Sequence, residues 1–213
     1  MRTLALLLAA LSLPGCAMMN TLQTADVLEP GGMVLGVGYT AGASGDVIEH
    51  YDPDRRDVPF AQPELLARVG VVPGLEVSAR LAGASTYGVA VKGGVAHGPV
   101  MVAANAGFGQ GEEGICFYGC VTESVHTRYG ALLAGTDAVS LFHQLYGAAK
   151  LTDYRYRREA GGEVTAFERV IPGFALGAVG HARGRAAPVL EVNGYFMPHF
   201  AFTVGGGLLI RLR

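Results

Sequence analysis

From residue 31 onward the chain repeats one pattern: short stretches in which apolar residues alternate with polar or very small ones, each broken by Gly, Pro or a polar pair. Period-two alternation puts successive side chains on opposite faces of an extended strand, whereas a helix would return its apolar residues every three or four positions. Ten such stretches are legible. Residues 31–40 set Met33, Leu35, Val37 and Tyr39 against Val34, Gly36, Gly38 and Thr40. Residues 63–71 set Leu65, Ala67, Val69 and Val71 against Glu64, Leu66, Arg68 and Gly70, and 75–81 set Leu75, Val77, Ala79 and Leu81 against Glu76, Ser78 and Arg80. A further hairpin is predicted from 86–96 and 98–108, with Tyr87, Val89 and Val91 opposite Lys92 in parity. Strands six and seven are predicted at 124–135 and 137–150, joined at 135–136, with Val125, Tyr129 and Leu133 on one face and His126 and Arg128 on the other. Strand eight, 164–179, holds Pro172, which signals a bulge or break because Pro cannot donate to a ladder. The ninth alternates Leu190, Val192 and Phe196 with Glu191, Asn193 and Tyr195, and the tenth ends the chain.

An even number of antiparallel strands brings the chain back to its starting side. The connections at one end are then short, at 72–74, 97, 135–136 and 180–184, and those at the other fall at 41–61, 82–85, 109–123, 151–163 and 197–198. Tyr39, Tyr87, Phe108, Phe196, Phe200 and Phe202 gather toward the second end. Short turns, long opposite loops and an aromatic girdle resemble the small outer-membrane barrels of bacteria. The resemblance covers the chain after residue 30 and implies an all-β, antiparallel, up-and-down transmembrane barrel of about ten strands over 31–213. The end Leu208-Leu209-Ile210-Arg211-Leu212-Arg213 is similar to a barrel-assembly signal without its terminal aromatic.

The first fifteen residues are a different kind of segment. Arg2 and the apolar run 4–13 have signal-peptide length, too short to span a bilayer. Leu13-Pro14-Gly15-Cys16 resembles the lipobox of bacterial lipoproteins, although Pro14 departs from the usual small residue there. That resemblance implies cleavage of 1–15, a covalent lipid such as palmitate on Cys16, and an N-terminal lipid-anchored linker at 16–30. Ala17 is not the Asp that retains enterobacterial lipoproteins in the inner membrane, so the expected address is the outer membrane, with a periplasmic N-terminus. The expected partners are outer-membrane lipid and the lipoprotein-sorting and barrel-assembly machinery. With Cys16 used, Cys116 and Cys120 remain as a pair in an oxidising compartment, and a disulfide between them is expected.

Composition narrows the function classes. The leader removes one basic residue, leaving 15 basic against 18 acidic side chains, so no basic patch points to nucleic acid. Alternation assigns Glu64, Arg68, Glu76, Arg80, Lys92, Asn105, Arg128, Gln144, Glu191, Asn193 and Arg211 to the inward face. Two readings follow: a narrow polar passage, or paired charges that plug the lumen. The plug is favoured, because buried charges need partners and ten strands enclose a bore only modestly wider than side chains can fill.

The remaining motifs carry less. Asp46, Asp52, Asp54 and Asp57 lack EF-hand spacing and have Arg55 and Arg56 beside them, so no metal site is assigned. Tyr154-Arg155-Tyr156-Arg157-Arg158 offers bidentate contacts to lipopolysaccharide phosphate, with a solvated charge run as the plainer reading. Gly36-x-Gly38 and Gly107-x-Gly109-x-Gly111 are strand glycines, not phosphate loops. His126 with Glu123 and Ser124 is the one triad-like group, but neighbours along a strand point to opposite faces, so no catalytic set is assigned. The sequence therefore predicts a structural or small-solute-passage envelope protein that is not an enzyme. A tethered lipocalin-like binder of apolar ligands and a surface barrel enzyme are the alternatives.

Overall fold

A computed structural model describes residues 23–44, 58–83, 85–116, 120–137, 139–196 and 200–212. Ten strands run in chain order: β1 Met33–Ser44, β2 Val58–Val72, β3 Leu75–Ala82, β4 Thr86–His97, β5 Val100–Cys116, β6 Cys120–Thr136, β7 Gln144–Ala160, β8 Glu163–Val179, β9 Ala186–Phe196 and β10 Phe200–Arg211. Each pairs antiparallel with its neighbour in sequence, and β1 closes onto β10, with Val34 opposite Arg211 and Ala43 opposite Phe202. The fold is a closed up-and-down barrel, which leaves no edge along its shared wall.

Alternation decides which way each side chain points. Leu35, Val37, Leu65, Val77, Val91, Val102, Leu176, Val192 and Val204 face outward and are exposed, while the residues between them face the lumen. Apolar side chains thus cover the outside, and most of the charge in the middle of the wall lies within. The described girdle aromatics Tyr39, Tyr87, Phe108, Phe196 and Phe202 are exposed on the outside as expected, and Phe174 packs beside Phe196 at 6.0 Å between ring centroids.

One end of the barrel carries Met33, Arg211 and the connections 73–74, 98–99, 137–143 and 180–185; it is called the terminal end below. Gly74, with φ of 77°, supplies the left-handed residue that the two-residue β2–β3 turn requires. At the opposite, hairpin end, the described parts of the expected loops 109–123 and 151–163 are instead ladder, up to the turn at 161–162. β5 and β6 pair as far as Cys116 opposite Cys120, and β7 and β8 pair to a two-residue turn at Gly161 and Gly162, where φ is 59° and 89°. Two successive positive φ values are the geometry of a tight primed hairpin turn. These extensions hide from an alternation search because their outward face, apolar lower in the wall, turns polar, as at Gln110, Glu112, Arg155 and Arg157. The join expected at 135–136 lies later: β6 continues to Thr136, and the unalternating stretch 139–143 belongs to the connection.

Residues 16–30, expected as a linker ahead of the barrel, are described from Gln23 onward. From Gln23 to Leu28 the chain is not outside. It runs within the lumen, where Gln23, Thr24, Ala25 and Leu28 are buried, and joins β1 at the terminal end.

Candidate functional site: a lumen filled by the chain's own N-terminal segment

The segment is seated by three kinds of contact. Its backbone docks on β2 through Gly31 N–H to Gly70 O at 2.9 Å and Gly70 N–H to Gly32 O at 3.0 Å, just where the β2–β3 register is broken by a bulge. Its backbone can come this close because Gly70 has no side chain: a Cβ there would lie 2.1 Å from the carbonyl oxygen of Glu29. Gly94 and Gly135 similarly make room for Val27 and Ala25. Its apolar residues Ala25 and Leu28 complete a buried cluster with Val34, Leu66, Ala103, Ala131, Leu133 and Leu209.

The polar contacts turn the charged lumen into a network. Arg68 donates Nε to Glu76 Oε1 and Nη2 to Glu76 Oε2, both at 2.8 Å, and Nη1 to the Thr24 hydroxyl at 2.7 Å. Lys92 lies 3.1 Å from Glu76 and donates to the carbonyls of Thr24 and Asp26. Glu76 also accepts the Leu28 N–H at 3.1 Å. Gln23 donates to Ser78 and accepts from Asn105. Strands β2 to β5 therefore bind the segment through residues sharing no local sequence motif. Asp26 adds a carboxylate 3.6 Å from Arg68. Burial alone would raise its pKa, but the charges of Arg68 and Lys92 and the Thr24 hydroxyl bond hold it below the ordinary value.

A second network fills the wall toward β7 and β9. Tyr146 donates to Glu191 at 2.7 Å, Asn193 donates to the same carboxylate at 2.9 Å, and Lys150 donates to Asn193 and lies 5.2 Å from the Tyr195 ring centroid. Between the two, Glu64 accepts from Thr40 at 2.6 Å and from Arg80. Glu64, Arg68, Glu76, Lys92, Asn105, Gln144, Glu191 and Asn193 are all buried, as their parity predicted, and Arg80 is largely so. Arg211 has inward parity but stands exposed at the terminal end.

Arg128 is a correction. It points outward, as does His126, while Thr127, Tyr129, Ala131 and Leu133 point in. Leu132 is 68% exposed and Leu133 only 2%. Both faces of β6 are apolar at this level, because the inward face packs on the cluster around Ala25 and Leu28, so the richer-looking face was misassigned to lipid. Arg128 instead shares an outward groove with Phe108, Asp153 and Arg155. Sequence reasoning also missed Lys150, Tyr146 and Tyr154, whose even parity on β7 was legible but lay in the least regular stretch.

The basic run of β7 is divided by parity. Arg155 faces out between Asp153 at 3.3 Å and Glu168 at 2.7 Å, and Arg157 lies 3.7 Å from Glu159, so both arginines already face carboxylates. Ser124 and His126 share the outward face, and the Glu123 side chain, like the acidic cluster of Asp46, Asp52, Asp54 and Asp57 and the lipobox at Cys16, lies outside the described residues. Among the described residues no group of His, Cys, Asp or Glu is placed to hold a metal ion.

Comparison of the sequence with protein-family models and with curated proteins gives no match. Among solved structures, the chain is similar to the attachment invasion locus protein of Yersinia pestis, at 10% identity over 86% of this chain and 99% of that one, with a TM-score of 0.49. It is also similar to an outer membrane channel from Pseudomonas putida F1, at 7% identity over 88% and 98% of the two chains, with a TM-score of 0.47. Neisserial surface protein A gives 10% identity, 85% and 96% coverage and a TM-score of 0.42.

Proposed function

We propose that this chain is a lipid-anchored outer-membrane barrel, held closed by its own N-terminal segment, with a structural role in the envelope and at most slight solute passage. One observation carries the reading: the apolar surface is a belt on the outside of a closed barrel, while the charged residues inside are paired with one another and with residues 23–28. A soluble barrel that carries an apolar ligand would have the opposite arrangement, an apolar cavity and a polar exterior. Here the inner apolar cluster is occupied by Ala25 and Leu28. The terminal end is assigned to the periplasm, where outer-membrane barrels place their short turns.

The anchor is compatible with this arrangement. Six residues lie between Cys16 and Gln23, seven Cα steps that span at most about 25 Å when extended, and half a bilayer core is about 15 Å, so the tether is long enough for an acylated Cys16 to reach a membrane interface. Barrel and anchor are separable by experiment. Fatty-acid labelling of wild type and Cys16→Ser, followed by alkaline extraction of membranes, is expected to show label only on wild type and both proteins retained in the outer membrane. Unlabelled wild type refutes the anchor, and complete release of folded Cys16→Ser refutes the integral barrel.

A further inference from the structure

The docked segment supplies a carboxylate that the lumen wall lacks. Among the described residues, the buried part of the wall carries four cations, Arg68, Arg80, Lys92 and Lys150, against three carboxylates, Glu64, Glu76 and Glu191. Glu64 is matched by Arg80, and Glu191 and Lys150 are joined through Asn193, but Glu76 faces both Arg68 and Lys92. The fourth carboxylate is Asp26, 3.6 Å from Arg68, and its charge also acts on Lys92 and on Arg211 at the terminal mouth. The carbonyls of Thr24 and Asp26 accept from Lys92, and that of Asp26 from Arg68. When the segment leaves, all of these acceptors leave with it. The wall then holds one more cation than it has carboxylates.

The track left behind is open, because the wall along it is short of side chains. Gly70, Gly94 and Gly135 line it, and a Cβ at each would lie 2.1, 2.9 and 2.8 Å from Glu29, Val27 and Ala25 respectively. At the terminal end the track merges with a cavity of about 440 Å³, lined among others by Asp26, Arg68, Arg185 and Arg211. On the hairpin side of Gln23 it meets a void of about 20 Å³, room for a single water, bordered by Ser78, Arg80 and Tyr129. Cations stripped of their partners in a narrow, low-dielectric lumen attract anions and repel other cations. We propose that residues 23–28 are a gate, and that the track they vacate passes small inorganic anions in preference to cations. The inference rests on the closed-barrel reading above and adds to it what opens the barrel and what then passes.

The test is single-channel recording of the full mature protein in planar bilayers of neutral lipid under a potassium chloride gradient. Gly70→Ala pushes the segment off its seat and forfeits two backbone bonds and the burial of Leu28, so it should open roughly 100-fold more often than wild type. Its open state should be more permeable to chloride than to potassium. Lys92→Gln in the same chain leaves three buried cations against three carboxylates and should bring the permeability ratio close to one. If a variant fails to fold, the rare openings of wild type give the same reading, a chloride preference. A Gly70→Ala protein whose Leu28 and Gly31 amides exchange freely but which stays silent overturns the inference and leaves the closed barrel standing. Open states that favour potassium, or neither ion, overturn it as well. A persistently open wild type overturns the closed barrel and the gate together.

Discussion

Replacing Gly70 by Ala separates a lumen packed with its own chain from one that is merely lined by charge. Within an empty barrel the change would be neutral or favourable by about 0.5–1 kcal/mol, because Gly costs more backbone entropy in a strand than Ala. In this structure the added methyl would lie 2.1 Å from the Glu29 carbonyl oxygen and 2.7 Å from that of Leu28. Both contacts are backbone, so no rotamer relieves them and the 28–32 turn must retreat by about 1 Å. The two backbone bonds to Gly31 and Gly32 are worth about 0.5–1.5 kcal/mol each, and burial of Leu28 about 1.5–3 kcal/mol. Their loss weakens docking by about 3 kcal/mol, or roughly 100-fold in the docked population, since the entropic gain is common to the docked and undocked barrel. Hydrogen exchange in nanodiscs reads this directly at the Leu28 amide, which is bonded to Glu76, and at the Gly31 amide. Both should exchange roughly 100-fold faster in Gly70→Ala than in wild type, while the strand amides of β9 and β10 stay protected. Unchanged protection at Leu28 and Gly31 would refute the docked segment.

Other predictions follow from the same structure. Val91 is exposed on the outward face of β4, so Val91→Arg should cost roughly 2–4 kcal/mol of folding stability in lipid and Val91→Leu nearly nothing; equal urea midpoints would remove this face from the apolar belt. Cys116 and Cys120 pair opposite each other at the end of the β5–β6 ladder, and mass analysis of exported protein should find them joined; two free thiols would contradict this. Asp26 has a carboxyl held below its ordinary value of 3.8, so its contribution to docking is complete above that value and is lost as pH falls through the lowered one. Protection at Leu28, taken relative to the intrinsic exchange rate at each pH, should therefore be unchanged at pH 5 and be lost only below the ordinary carboxylate value. Loss of protection already at pH 6 would contradict the Asp26 to Arg68 and Lys92 pairing.

Strand number, parity on β1 to β5, β9 and β10, and most of the lumen were legible because alternation survives wherever one face meets an apolar environment and the other a polar one. The reading failed where that contrast vanishes. On β6 the inward Ala131 and Leu133 are as apolar as the outward Leu132, because they pack on Ala25 and Leu28. On the hairpin extensions of β5 to β7 the outward residues turn from apolar to polar, as at Glu112, Ser124 and Arg157, so strand reads as loop. The docked segment itself carries no periodicity at all: Gln23 to Leu28 binds through its backbone carbonyls, one guanidinium and one ammonium from distant strands, and glycines whose only local signature is their absence of a side chain. Arg68, Glu76 and Lys92 could be read from sequence as inward charges, but not that the chain's own N-terminal segment would complete their pairing.

Single-channel recording of the purified mature protein in planar bilayers tests the central claim most directly. A barrel whose charges are paired and whose lumen holds residues 23–28 should insert and remain closed, with only small and infrequent openings. A large, persistently open conductance in wild type would contradict it.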